Sequence, residues 1–562
     1  MNKKTIVNIA KLFTLILVLQ SMLVVGQNSN NFEISKNLDI YTTLFKELNT
    51  NYVDDISAGE LIESSIDAML ESLDPYTIYI PESEVEDFRF ITTGQYGGIG
   101  SLIHKQGDYV VITEPYEGKP AQKAGLKAGD KILEIDGKSA KGKSTSDISA
   151  ILKGQPGTSI RVLFEREGID EPLEKELTRE NVKIDNIPYY GIIGDNIGYI
   201  RLIGFTQKAG KDAKEAFTDL RNKNELKGII LDLRGNGGGL LQEAVNITNI
   251  FVDKGKLVVT TKGKLPGKNH SYKTMNIALD KNIPLVVLVN NSSASASEIV
   301  AGAIQDIDRG VIIGQRTFGK GLVQNVIPLS YNSQAKITVA KYYIPSGRCI
   351  QAIDYSKKDD NGNSGKIPDS LITAFKTLKG RTVYDGGGIE PDIEIEPEEL
   401  SNISYSLLNK YLFFDYATKF ERENPEIDIP DEFIITDEIY NDFVIFISDK
   451  NYEYTTKCEE TLEKLKQYAE EEKYFEDISP EFIALTDKME KNKQEDIEKH
   501  KKQIKKILRI EIISRYYYQR GKIISSLADD KEIAKAIEII NQQDSYLAIL
   551  DGTYSPDGEK QE

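Results

Sequence analysis

The run from Pro284 to Val289, P-L-V-V-L-V, leaves a chain of this kind little freedom of fold. A strand points successive side chains to opposite faces, so a run that is apolar at every position must bury both faces, as in the centre of a sheet covered by helices. Comparable strand-like runs occur at Ile197–Leu202, Gly228–Leu233, Gly310–Ile313 and Ala335–Tyr343. They alternate with helical segments at Leu240–Phe251 and Ser297–Ile307. Residues from about Val182 to Pro397 are therefore expected to form an α/β core.

The flanking regions carry other periods. Apolar residues at helical spacing between Leu38 and Leu73 predict two short helices, which Asp74-Pro75 ends. From Gly94 to about Arg179 short alternating strands (Tyr109–Thr113, Lys131–Ile135, Ser159–Glu165, Leu173–Thr178) are separated by Gly, Asp and Asn turns, at the size of a small binding module. Beyond Leu400 the spacing is helical again, with Lys491 to Lys506 expected as a solvated helix face and Ser555 to Glu562 as disordered. A chain of 562 residues is long enough for such a series. The expected architecture is multidomain α/β: an export segment at 1–26, N-terminal helices at 27–92, a β-rich module at 93–180, the α/β core at 181–400 and a C-terminal helical region at 401–562.

A formal net charge of -18 repels phosphate backbones, so nucleic acid is excluded as a partner and proteins or peptides are favoured. The basic start Met1 to Lys4 and the apolar run Ile6 to Val25 have the layout of a signal peptide, with cleavage expected near Gly26. The alternative is an uncleaved anchor, for which the run is nearly long enough. Either way the expectation is export, to a periplasmic or secreted location, with membrane association if the segment is kept. Cys349 and Cys458 are too few for a disulfide framework or a thiolate metal site, and His104, His270 and His500 have no ligand spacing. No metal and no cofactor is expected.

The chemistry concentrates in three segments of the core. Behind the strand at Pro284–Val289 comes Asn290 to Glu298, N-N-S-S-A-S-A-S-E, and then a helix. A serine at this junction has small neighbours and lies near free N–H groups of a helix start, so its hydroxyl is accessible and an anion is stabilised nearby. The plainer reading is that Ser and Asn cap the helix. A nucleophilic serine needs a base, and no histidine has a triad context. Lys320 stands between Gly319 and Gly321 with apolar flanks. A lysine packed in an apolar pocket near a helix N-terminus has its pKa lowered and can take the serine proton; the plainer reading is a surface loop. Gln324, further along the same strand, is placed to orient the amine. The third segment, Gly228 to Leu241, is an apolar strand ending in a glycine loop whose N–H groups can donate to an oxyanion; it lacks both phosphate-loop patterns. In the β-rich module, Tyr96 to Ile103 is a glycine turn entering an apolar strand, suited to hold a terminal carboxylate while the strand edge pairs with a peptide.

Together these segments resemble the carboxyl-terminal processing, or tail-specific, proteases from about Leu38 to Pro397. The resemblance is carried by S-A-S-A-S-E at Ser293–Glu298, F-G-K-G-L-V-Q at Phe318–Gln324 and L-D-L-R-x-N-x-G-G at Leu231–Gly239. L-D-P-Y at Leu73–Tyr76, Y-G-G-I-G at Tyr96–Gly100 and the stretch Gly380–Asp392 add to it. The family has a Ser–Lys dyad with the lysine twenty-five residues after the serine, which selects Ser295 with Lys320 over Ser293 or Ser297. The resemblance further implies Gln324 as the third catalytic residue and backbone oxyanion donors at Ala296 and Gly238, the neighbouring Gly237 standing where a proline is common. Glu298 and Asp306 match acidic positions often seen in the family, and structural roles are expected for them. The resemblance makes the β-rich module a PDZ domain that binds substrate tails at Gly98, Ile99, Gly100 and Leu102. The implied activity is a serine endopeptidase acting on proteins with free C-termini, with a homodimer or a regulatory protein as further partner. A catalytically silent PDZ adaptor is the rival reading, and an acyl-transfer enzyme acting on thioesters a third.

Overall fold

The computed structural model describes residues 31–265, 267, 269–359 and 362–554. The segment Ile6–Val25 and the end Ser555–Glu562 lie outside the described residues. No helix among the described residues is long and apolar enough to cross a membrane.

The first unit, through Tyr79, holds the two expected helices, residues 31–51 and Ala58–Glu71, joined through the hydroxyls of Tyr41 and Ser65. Asp74 ends this pair by taking the backbone N–H groups of Tyr76 and Thr77 at 2.9 Å on one carboxylate oxygen, an Asx-type turn.

In the second unit the β-rich module forms an antiparallel sheet in the order Ser101–Gln106, Tyr109–Pro115, Lys131–Ile135, Ser159–Glu165, Leu173–Thr178. Its core is aliphatic, with Val110, Ile112, Ile132, Val162 and Phe164 fully buried. The helix Thr145–Leu152, capped by Ser144 and Asp147, packs against the edge strand Ser101–Gln106. Strands Gln95–Gly98 and Glu180–Lys183 pair where the chain enters and leaves.

The core sheet has the order Tyr189–Ile193, Ile197–Arg201, Gly228–Asp232, Leu285–Val289, Val311–Gly314, Ile393–Glu394. The first pair is an antiparallel hairpin and every later pair is parallel. Helices Ala209–Lys223, Leu241–Phe251 and Ala296–Asp306 cover one face, onto which Leu285, Val287 and Val289 point. Val286 and Leu288 point to the other face. The all-apolar run is thus buried on both sides, as its composition demands.

That second face is covered from far along the sequence. Helices Asn402–Asn409 through Lys501–Leu527 build their own core around Phe413, Tyr416, Phe443, Leu508 and Ile512. The last two, Lys531–Asn541 and Gln543–Asp551, return to the sheet and lay Ile533, Ala536, Ile539, Ile540 and Tyr546 on it. The β-rich module also leans on the helical region. His104 stacks on Tyr411 at 4.0 Å between ring centres, Gln106 donates to Asp415 at 3.1 Å, and Lys127 pairs with Glu421 at 2.7 Å.

Candidate active site

Strands Gly228–Asp232 and Leu285–Val289 are parallel neighbours, so their carboxyl ends open at the same edge of the sheet. Ligand sites of α/β sheets collect at that edge. The glycine loop leaves one strand, the serine-rich turn leaves the other, and each leads into a helix on the same face.

The three serines of the turn part company here. Ser293 is fully buried and its hydroxyl donates to the Leu233 carbonyl at 2.9 Å. Ser297 is fully buried and donates to the Asn236 carbonyl at 2.8 Å. Both hydroxyls fasten the turn to the glycine loop. Ser295 between them is only half-buried and precedes the helix Ala296–Asp306 with φ at +56°. A residue with a Cβ adopts such a backbone at a cost of order 1–3 kcal/mol, and such strain concentrates at functional turns.

Asn236 organises the glycine loop. Its amide donates to the Leu202 carbonyl at 2.9 Å, its own carbonyl receives the Ala294 N–H at 3.0 Å, and its side-chain oxygen receives the Gly238 N–H at 2.9 Å. The last bond differs from the expected role of Gly238 as an oxyanion donor: its N–H is turned back onto Asn236, because the Asx turn closes two residues on. The glycine itself is required by space. At φ +100° a Cβ on Gly238 would lie 2.8 Å from the Ser295 Cβ and 2.9 Å from the Ala296 nitrogen. Behind the loop Asp232 is fully buried, paired with Arg201 at 2.6 Å and Arg234 at 2.7 Å. Burial favours its neutral form, but the two guanidinium groups win and hold its pKa below the usual carboxylate range. Arg234 reaches on to Asp530 and Glu532 at the start of the returning helix, at 2.7 and 2.9 Å.

Lys320 lies in the loop between strands Val311–Gly314 and Leu322–Pro328. Its flanking glycines are there for close approach: a Cβ on Gly319 would stand 2.4 Å from that of Ala352, and one on Gly321 would stand 2.8 Å from the Gln351 nitrogen. The loop is tied to the serine by Glu298. This fully buried carboxylate receives the backbone N–H of Ser295 at 2.8 Å, of Lys320 at 2.9 Å and of Gly319 at 2.7 Å, and the Thr317 hydroxyl at 2.6 Å. Burial pushes its pKa up to about 6 against the pull of those donors. The structural role expected for Glu298 is thus borne by four hydrogen bonds. Asp306, at the other end of the helix, pairs with buried Arg348 at 2.9 Å. Gln324 donates to Thr338 on the paired strand at 3.2 Å.

Sequence reasoning did not single out Asn236, Thr317 or Tyr342. The hydroxyl of fully buried Tyr342 lies 2.5 Å from the Lys320 carbonyl oxygen and 3.1 Å from that of Ser295. The one signal available was its place two residues after Ala340 on the same face of the strand Q-A-K-I-T-V-A-K-Y-Y, since a phenol on a buried face needs an acceptor. Among the described residues no group of His, Cys, Asp and Glu could hold a metal ion. In the β-rich module, Gly98 closes its strand, Ile99 is buried, Gly100 turns at φ +72°, and Leu102 is 47% exposed on the edge strand beside the helix Thr145–Leu152. The four expected tail-binding residues therefore line one turn and one open sheet edge.

A serine junction and a lysine loop held together at the carboxyl end of a parallel sheet, with an appended antiparallel module, define a modular peptidase. Comparison with known proteins agrees. The family described as "Peptidase family S41" matches residues 196–359, "PDZ domain" matches 111–166, and "Probable PDZ-protease, C-terminal helical domain" matches 403–540. The carboxy-terminal-processing protease of Bartonella bacilliformis is 39% identical over 59% of this chain and 77% of its own length. Carboxy-terminal processing protease CtpA of Bacillus subtilis is 28% identical over 79% and 93%. A probable CtpA-like serine protease of Staphylococcus aureus is 30% identical over 81% and 90%. The chain belongs to the carboxy-terminal processing proteases of peptidase family S41 and is a serine peptidase.

Proposed function

We propose that Ser295 is the nucleophile and Lys320 its general base, in an exported endopeptidase that selects substrates by their C-terminal tails through the PDZ domain. The observation that carries this reading is the division of labour among the serines. Ser293 and Ser297 fasten the turn, while Ser295 is left half-buried on a strained backbone that Glu298 ties to Lys320. In this mechanism the neutral Lys320 amine takes the Ser295 proton as the serine oxygen attacks the peptide carbonyl. The oxyanion forms beside the Ala296 N–H at the helix start and the N–H groups of the glycine loop. Gly238 joins them by exchanging the amide oxygen of Asn236 for the oxyanion, and a charged acceptor makes the stronger bond. Lys320 then returns the proton to the leaving amine, and water releases the acyl group. Gln324 helps to orient the amine. A substrate tail adds as a strand to the edge Ser101–Gln106 with its carboxylate at Gly98–Gly100.

The test is mass spectrometry of a purified protein without residues 1–26, incubated with an unfolded protein bearing an apolar C-terminal tail. The parent is expected to cut it, and Ser295→Ala and Lys320→Ala are each expected to slow cutting by at least 1000-fold while keeping the fold, of the order seen on removing an activated nucleophile or its base. Retained cleavage in either variant would refute the dyad. Cleavage that ignores removal of the tail would refute selection by the PDZ domain.

A further inference from the structure

Two backbones must hold a fixed separation for a lysine to take a proton from a serine, because misplacement by 1 Å costs about 100-fold in rate. Here the serine follows one strand and the lysine lies in a loop after another, with no covalent tie shorter than the helix and strand between them. Glu298 gathers the N–H groups of both residues. It leaves the carbonyl side of each unaccounted for, and at Ser295 that side matters: φ +56° and ψ -111° are not held by the ordinary torsional preferences of a residue with a Cβ.

Tyr342 supplies the carbonyl side. It sits on the strand Gln334–Tyr343, which pairs with the strand that follows the lysine. Its backbone N–H donates to the Gly321 carbonyl at 2.9 Å, directly after Lys320. Its hydroxyl stands between the carbonyl oxygens of Lys320 and Ser295, at 2.5 and 3.1 Å. The Ser295 oxygen also receives the first helical N–H, from Ile299 at 2.9 Å, so helix and tyrosine fix its direction together. The ring around this hydroxyl is 1% exposed, so water does not compete for the two carbonyls.

The geometry points to Tyr342 as a positioning residue for the reaction: one phenol hydroxyl, shared by the carbonyls of Ser295 and Lys320, sets the distance and angle between nucleophile and base. It acts through the two backbones whose carbonyls its hydroxyl meets. This inference rests on the Ser295–Lys320 reading above.

The experiment replaces Tyr342 by Phe, which removes only the hydroxyl, and by 4-aminophenylalanine, which restores a donor at the same place. Each is assayed for kcat and KM on the same tailed substrate, beside the parent and Lys320→Ala. Tyr342→Phe is expected to lower kcat 10- to 100-fold with KM within twofold, and the amino variant to recover at least half of the parent kcat. A kcat within twofold of the parent for Tyr342→Phe would overturn the inference. So would an amino variant as slow as the Phe variant. Should Tyr342→Phe fail to fold, the amino variant against the parent decides alone: a folded amino variant with less than a tenth of the parent kcat overturns the role as donor, and one with at least half upholds it. Lys320→Ala separates the two levels. If it remains active the dyad itself is wrong, whereas an inactive Lys320→Ala beside a fully active Tyr342→Phe removes Tyr342 alone.

Discussion

At the scale of single residues, Glu298 gives the site a pH dependence with opposite signs for stability and rate. Burial lifts its pKa to about 6, against 4.5 for a free glutamate side chain. Between those values the folded chain holds a proton that the unfolded chain has lost. The group's contribution to stability therefore falls by about 2 kcal/mol as pH rises from 4.5 to 6 and is constant above. Rate runs the other way, because four donors need the ionised acceptor and a protonated carboxyl turns one oxygen into a donor facing N–H groups. The kcat of the parent is expected to drop as pH is lowered through about 6. Glu298→Gln is expected to lose the part of that drop that belongs to Glu298, keeping the part set by protonation of Lys320, and to run at least tenfold slower at pH 8, since its NH2 group meets backbone donors. A kcat–pH profile taken with thermal midpoints at the same pH values checks both signs. The serine-rich turn and the Lys320 loop were legible in the sequence because each carries its signal in adjacent residues, whereas the choice of Ser295 among three serines came from the resemblance. The ties from Glu298 and Tyr342 were not legible, since they join positions that only the fold brings together, and neither was the inward turn of the Gly238 N–H, which depends on an Asx turn.

At the scale of elements, the sheet illustrates what periodicity can and cannot give. An all-apolar strand states that both its faces are covered, and both are. It does not state by what. The helices Lys531–Asn541 and Gln543–Asp551 have the amphipathic spacing of the helices before them, and that spacing reads the same whether they pack on one another or on a distant sheet. Ile539 and Ile540 are nearly fully buried against it. Ile539→Ala is expected to cost about 2–5 kcal/mol in urea unfolding followed by circular dichroism. A chain ending at residue 528 is expected to be insoluble, as it would bare one face of the sheet and leave Arg234 without Asp530 and Glu532. A soluble and active shortened form would show that the two helices are an accessory.

At the scale of the whole second unit, the PDZ domain is seated on the helical region through a histidine. The His104 ring stacks on Tyr411, meets Phe414 edge-on and accepts or donates at Thr113, with Gln106, Arg515 and Glu511 nearby, and its Nε2 is buried with no partner among the described residues. Burial lowers its pKa from 6.5. A lowered histidine favours the seated state above pH 6.5 and withdraws that support as pH falls through the lower, seated value. Glu114 and Asp415 at the same contact are raised by burial and oppose this on acidification, so the histidine's share is read as a difference. Between pH 7 and 5.5, hydrogen-exchange protection in Ser101–Gln106, taken against the intrinsic rate at each pH, is expected to fall more in the parent than in His104→Phe. Equal responses would dismiss the histidine. Nothing in the sequence around His104 announced this, because a lone histidine on an alternating strand looks the same facing water or facing a neighbouring domain. The return of residues 531–551 to the sheet has a further consequence, for timing. On a ribosome the serine-rich turn is made long before the helices that back its strand, so this layer of the peptidase core is synthesised well after the sheet that it covers.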